Sequence, residues 1–371
     1  MSHSLLRCLY LQEKFRLHLK NKFILPILLV VQIITLNIIS LFPEFVEKHY
    51  SNGIYPYISH FSRTITGWIP FSIGDVLYFI TGFFIIRWFY RKRGTWKLQW
   101  KDHLLRIISC FSIFYFLFNL LWAGNYHRVK LYNKMQMESE YTDAELLDFT
   151  KRIIGKTNEI HLTIAKNDRA KIVMPYSREE IFNMSLKGYD NLAAKYPYFK
   201  YENASVKKSI ISLPLTYMGF GGYLNPFTNE SQVNDMLPMY TIPTTTAHEM
   251  AHQIGYASES EANFVGYLAA INNDDLYIQY SGYALATRYC LGIMEVRNEE
   301  LCKQLLATVN PGIRENFRES RDFWEKYETF IEKGFKVFYD NFLKINQQKD
   351  GLDSYSRFVD LMVNYYKTNP V

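Results

Sequence analysis

The sequence predicts a membrane-anchored, mainly α protein: three N-terminal transmembrane helices, then a largely helical α+β domain. Three observations carry that prediction. The first 123 of 371 residues hold three long apolar runs, the charges flanking them are one-sided, and from residue 124 the chain turns polar with helical periodicity.

Phe23 to Phe42 is a 20-residue apolar run without a charge. Phe71 to Ile86 is apolar except for Asp75 near one end, and Ile107 to Trp122 is again uncharged. With their flanks these give spans at about 23–42, 70–90 and 104–122, each long enough for a bilayer core of about 30 Å. No alanine precedes Ala123, so a small-residue signal cleavage site is absent and the first span reads as an uncleaved anchor.

Orientation follows from the cations. Residues 1–22 carry Arg7, Lys14, Arg16, Lys20 and Lys22; the segment 87–106 carries Arg87, Arg91, Lys92, Arg93, Lys97, Lys101 and Arg106. The loop 43–69 has only Lys48 and Arg63, offset by Glu44 and Glu47. The positive-inside rule places the N-terminus and the second loop in the cytoplasm, and residues 124–371 outside. The two basic segments together hold a net charge of +10, more than the +6 of the whole chain, so the remainder is mildly acidic. The basic residues are topogenic, and no nucleic-acid partner is expected. Loop 43–69, with Phe45, Tyr50, Tyr55, Tyr57, Phe61 and Trp68, is expected at the outer interface, against lipid.

In the outer domain, Thr142-x-x-Glu145 and Ser177-x-x-Glu180 are capping boxes opening helices that reach about Ile154 and Lys195. Lys208 to Tyr217 reads as β-rich, Gly219, Gly221 and Gly222 mark a turn, and Gln232 to Tyr240 is a second extended segment. Beyond residue 263 helices are expected at Phe264–Asn272, Leu276–Val296, Ile313–Asn346 and Ser354–Tyr366, with the aromatic stripe from Phe317 to Phe342 as core. Cys290 and Cys302 are either a disulfide between packed helices or buried thiols.

The chemistry lies at His248-Glu249-Met250-Ala251-His252. In HExxH on a helix, the two histidines share a face and bind one zinc, with the glutamate beside them as general base. Pro243 suits a first helical turn, Thr241 and Thr244–Thr246 offer capping hydroxyls, and Gly255 is a C-cap candidate. Ser258 then opens a second helix. A catalytic zinc needs a third protein ligand, and Glu259 or Glu261 supplies it; the two point roughly 200° apart around a helix. Glu259 and Asn263 share a face, as in the Glu-x-x-x-Asp arrangement of thermolysin-like zincins and of membrane-embedded CaaX-type proteases. That similarity favours Glu259 as ligand and Asn263 as the support of a ligand histidine, with Glu261 the runner-up. HExxHxxG also opens the metzincin motif, whose third ligand would fall on Ser258, a poor one. Gly219, Gly221, Gly222 and Tyr223, within Tyr217–Asn225, are the candidate substrate edge. Tyr256, Tyr283 and, first among them, Tyr355 are candidate oxyanion donors.

Tyr217-Met218-Gly219-Phe220-Gly221-Gly222-Tyr223-Leu224-Asn225-Pro226-Phe227-Thr228, Pro243-x-Thr245, the HEMAHQxGYxxExEANFxGYL stretch ending at Leu268, and Gly351-x-x-Ser354-Tyr355 resemble an uncharacterised bacterial membrane family, domain of unknown function 3810. The likeness extends to the N-terminal helices. The family is regarded as zinc-peptidase-like, which implies the bacterial cytoplasmic membrane and no defined substrate. The expectation is therefore a zincin-like, extracytoplasmic metallopeptidase with one Zn²⁺, acting on a peptide or protein of the cell envelope. Its rival is a non-catalytic zinc-binding protein of envelope assembly or sensing.

Overall fold

Two helical runs, Lys22–Ile39 and Ile73–Leu121, are long and apolar enough to cross a membrane in the computed structural model, which describes residues 22–346 and 356–369. Composition suggests three spans. The second and third are joined because Arg93–Thr95 forms a 3-10 turn that keeps the helical hydrogen bonding continuous over 49 residues. The chain still folds back there: the rings of Trp88 and His103 lie 5.6 Å apart, and Phe89 stacks on Trp96 at 5.5 Å. The first run is α1 (Lys22–Ile39); the second contains α4 (Ile73–Lys92) and α5 (Trp96–Leu121).

Between them, the expected interfacial loop 43–69 is helical instead. It forms α2 (Pro43–Val46), a π-helical stretch Glu47–Ile54, and α3 (Tyr55–Gly67). Pro43 sits in a first turn, where the missing N–H has no intrahelical partner to lose; Pro56 follows the π-helical stretch without a break, just past its widened turns.

After a 3-10 turn at Ala123–His127 come α6 (Leu131–Lys134), α7 (Asp143–Ala165) and α8 (Arg178–Lys195). Both capping boxes form, on Thr142/Glu145 and Ser177/Glu180, and α7 runs three turns past its expected end. The stretch expected to be β-rich is mostly not. Strand β1 is only Val206–Lys208, and Ser212–Met218 is helix α9. Asp75, in the first turn of α4, ends the strand by accepting from Ser209 Oγ at 3.0 Å and Ile210 N at 2.7 Å. Strands β2 (Gly222–Leu224) and β3 (Ser231–Val233) complete a sheet of order β1-β3-β2, with β1 parallel and β2 antiparallel to β3. Glu230 ties this hairpin to the N-terminal end of α4: its carboxylate accepts from Ile73 N and Gly74 N at 3.1 and 2.6 Å, where a negative charge offsets the helix dipole.

The remaining helices are α10 (Ile242–Gln253), α11 (Glu259–Ile271), α12 (Leu276–Arg297), α13 (Glu299–Thr308), α14 (Pro311–Tyr327), α15 (Phe330–Ile345) and α16 (Ser356–Tyr365). The single helix expected over 313–346 is broken because Thr329 is extended and its hydroxyl caps a new helix at Ile331 N. Helix α11 is buried from Glu259 to Ala270 and forms the centre of the domain, wrapped by α8, α10, α12 and α16, with α7 packed on α12. Phe149, Tyr189, Phe264, Tyr267, Tyr280 and Phe358 fill that core. A Cβ on Gly266 would stand 2.7 Å from His248 N, so a glycine there lets α10 and α11 touch backbone to backbone. Cys290 and Cys302 are free buried thiols, and Cys302 donates to Leu291 O.

Candidate metal centre

Helix α10 starts from a 3-10 turn, Met239–Thr241, whose last carbonyl accepts from the Thr244 and Thr245 hydroxyls at 3.1 and 3.0 Å. One turn apart on it, the rings of His248 and His252 lie 4.7 Å apart. The chain reverses at Gly255 and re-enters helix at Glu259, so the first carboxylate of α11 meets both imidazoles. Glu259 Oε2 is 3.3 Å from His248 Nε2, and Oε1 is 3.7 Å from His252 Nε2. Tetrahedral zinc with bonds of ~2.0–2.1 Å sets its donor atoms about 3.3 Å apart.

Each histidine's other nitrogen is engaged. His248 Nδ1 faces Asn263 Oδ1 at 3.0 Å, and His252 Nδ1 faces the Tyr256 carbonyl at 2.7 Å. Both partners are acceptors, so each Nδ1 carries a proton and Nε2 is the atom left to face Glu259 or to bind an ion. Two imidazole nitrogens and a carboxylate, aimed at one point, are a donor set that fits zinc. Glu261 is turned away, about 200° around the helix; its Oε1 accepts from Leu131 N at 2.7 Å.

Glu249 completes the group, with candidate donor atoms of His248, Glu249 and His252 within 4.8 Å of one another. It is buried, and its Oε2 has no hydrogen-bond partner. Of the two carboxylates, Glu259 fits the ligand role, because its two oxygens face both Nε2 atoms. Burial, helped by the charge of Glu259 and opposed by that of His248, pushes the Glu249 carboxyl up to about 8. Burial works the same way on Glu259 but is overcome by the His248 hydrogen bond and the two histidine charges, which hold it at about 2. His252 is pushed down to about 4 by burial.

The end of α10 is clasped by residues that precede α6 in the chain. Tyr55 and Ser59 donate to the Gln253 carbonyl at 2.9 and 2.8 Å, and Trp122 Nε1 donates to the His252 carbonyl at 3.2 Å. Arg128, held by Glu47 at 2.8 Å, donates to the Gly255 carbonyl. These donors meet the carbonyls that a helix end leaves unpaired.

The trio opens into a cavity of about 650 Å³. Its walls come from α4 and α5 (Tyr78, Phe118), from α15 (Phe338, Phe342), and from the segment 218–227. The α15 part of the aromatic stripe is therefore not core: Phe338 is 63% exposed, and Phe335, Phe338, Tyr339 and Phe342 face the cavity. The reason is the break at Thr329, which lays α15 across the site. Tyr339 OH donates to Glu259 Oε1 at 2.5 Å. No motif marks this residue; its only sequence signal is helical spacing in an aromatic stripe. Arg288, also in the lining, carried no signal.

The candidate substrate edge divides. Tyr217 belongs to α9, and Gly219, with φ of 83°, ends that helix. Gly221 and Gly222 line the cavity, and β2 is an edge strand. The ladder bonds Asn234 N→Gly221 O and Asn225 N→Glu230 O leave the N–H and C=O of Gly222 and Leu224 on its outer side. A Cβ at Gly222 would stand 2.6 Å from Glu249 Oε1. Tyr223 also lines the cavity, but its hydroxyl donates to Asp75. Tyr256 packs against Arg128 and Phe199, and Tyr283 against Tyr267, both within the core. Tyr355 lies outside the described residues.

Fold and site thus define a mainly helical protein with candidate membrane helices and a buried HExxH-plus-glutamate cluster. The chain belongs to the family described as protein of unknown function (DUF3810), which it matches over residues 50–363. No curated protein and no solved structure matches it.

Proposed function

We propose that the chain is a membrane-anchored zinc metallopeptidase of the glutamate-zincin type. The observation that carries this reading is Glu249: a buried carboxylate with an unpartnered oxygen beside two imidazoles whose Nε2 atoms converge on Glu259. A purely structural metal site has no use for it. His248, His252 and Glu259 would hold the ion, which supplies a Lewis acid that polarises a peptide carbonyl and eases deprotonation of water. Asn263 and the Tyr256 carbonyl orient the two rings. Glu249 accepts the proton of the attacking water and passes it to the departing amine. Glu249 would be favoured in its ionised form with a dication held by the trio, and so able to act as a base at neutral pH. The outward N–H and C=O of Gly222 pair with an extended peptide and hold its carbonyl at the site.

For topology we propose three crossings, with the N-terminus and residues 87–106 in the cytoplasm and residues 124–371 outside. The Lys22–Asp102 ion pair at 3.2 Å supports it by setting the starts of α1 and α5 at one end. From Lys101 to Leu121, α5 is about 30 Å long, and Trp122 at its far end touches His252.

The test is Glu249→Gln in the full-length protein. It should retain one equivalent of zinc by elemental analysis and lose peptide hydrolysis by at least ~10²-fold. Full activity in this variant would sink the mechanism, and absence of zinc in the wild type would sink the centre.

A further inference from the structure

We infer that the cavity receives the apolar segment of a membrane-embedded polypeptide, so that the scissile bond lies close to where that segment leaves the bilayer. The inference rests on the peptidase reading for the cut, and on the cavity together with the proposed membrane placement of α4 and α5 for the occupant.

The cavity that contains His248, Glu249 and His252 is walled on one side by residues of the apolar run. Phe114 and Phe118 on α5 and Tyr78 on α4 line it. Phe114 precedes Trp122 by eight residues, about 12 Å along the helix, so the lining descends well within the stretch able to lie in lipid. On the same turns of α5, Phe111, Ile113 and Phe116 are exposed. One helix segment thus presents apolar side chains both outward and into the cavity. An apolar chain passing from bilayer to metal cluster stays on aromatic surface throughout. Phe227, at the β2–β3 turn, packs on Phe114 at 5.2 Å, and Phe342 on Phe118 at 6.1 Å, which carries the apolar wall up to the level of Glu249. An anchored chain moves its apolar side chains from lipid to this wall at little cost, whereas a polar, water-soluble peptide finds no partners there for its hydrogen-bonding groups.

The experiment uses the full chain, zinc-loaded, in phosphatidylethanolamine–phosphatidylglycerol vesicles. Two probes share a randomised octapeptide, one joined to a Leu/Ala transmembrane helix and the other to a Gly/Ser tail of equal length. Mass spectrometry should show the helix-anchored library cut at least tenfold faster, near its junction with the helix. Phe114→Ala and Phe118→Ala should each shrink that preference to under threefold, at wild-type melting temperature and zinc content. Should these variants fail to fold, a benzophenone side chain at position 118 of Glu249→Gln should cross-link the anchored library and not the Gly/Ser one. Equal cutting of the two libraries, or cross-links to lipid alone, overturns the proposed occupant while leaving a peptidase. Cross-linking without cleavage by the wild type supports the occupant and overturns the peptidase. Neither cleavage nor cross-linking overturns both.

Discussion

The phenol of Tyr339 donates a 2.5 Å hydrogen bond to Oε1 of Glu259, the carboxylate beside His248 and His252. The two residues sit on α15 and α11, and the bond fixes the carboxylate that faces both histidines. Partners that orient a ligand in this way commonly govern 10–100-fold in metal affinity. Tyr339→Phe is therefore expected to weaken zinc retention about tenfold in a chelator competition, with little change in melting temperature. Unchanged retention would reduce Tyr339 to a packing residue.

The two glutamates of the ExE pair should separate cleanly. Glu259→Ala removes a donor from the trio and should abolish stoichiometric zinc. Glu261→Ala leaves the trio intact but strands the buried N–H of Leu131, at about 1–3 kcal/mol. Its signature is a lower melting temperature with zinc still bound. Loss of zinc in Glu261→Ala with retention in Glu259→Ala would reverse the assignment.

How far the sequence foretold this depends on the range of the interactions. His248, Glu249 and His252 are legible because helical periodicity alone sets their mutual placement, and the capping boxes on Thr142 and Ser177 because they close within one turn. The strand expected up to Tyr217 fails at Asp75, a contact made from more than a hundred residues away. Tyr339 is invisible for the same reason: its partner lies 80 residues upstream, and its immediate neighbours look like core. The helices within residues 43–69 are not legible because the segment's aromatic content speaks to where it lies and not to its backbone.

Gly222→Ala tests the wall beside Glu249. The added methyl would meet Glu249 Oε1 at 2.6 Å and the backbone carbonyl of Gln232 at 2.7 Å, and that carbonyl belongs to the paired strand. Relief requires the sheet to shift, at about 1–3 kcal/mol. A lower melting temperature and at least tenfold slower hydrolysis are expected, with zinc content near that of the wild type. A variant indistinguishable from wild type would mean the wall yields.

Acid should loosen the clasp at Glu47. Burial would raise this carboxyl, but the hydrogen bond and charge of Arg128, then those of Lys134, hold it at about 2 against an ordinary 4.5. Lys134 is itself pushed down by burial and by Arg128, so Arg128 is the stronger hold. A depressed carboxyl stabilises the fold fully above pH 4.5, and the contribution fades as pH falls toward 2. In the wild type the melting temperature should drop across that window. Glu47→Gln should start lower at pH 7 and depend less on pH; parallel curves for the two proteins would rule out Glu47 as the source.

The grip of Tyr55, Ser59 and Trp122 on the last carbonyls of α10 leaves no compliant linker between the histidine-bearing helix and the apolar run. In the proposed topology the blade therefore sits at a set altitude above the lipid. Such an enzyme is a gauge before it is a reader of side chains: bonds that rise to that height are cut, and the same sequence held higher or lower is passed over.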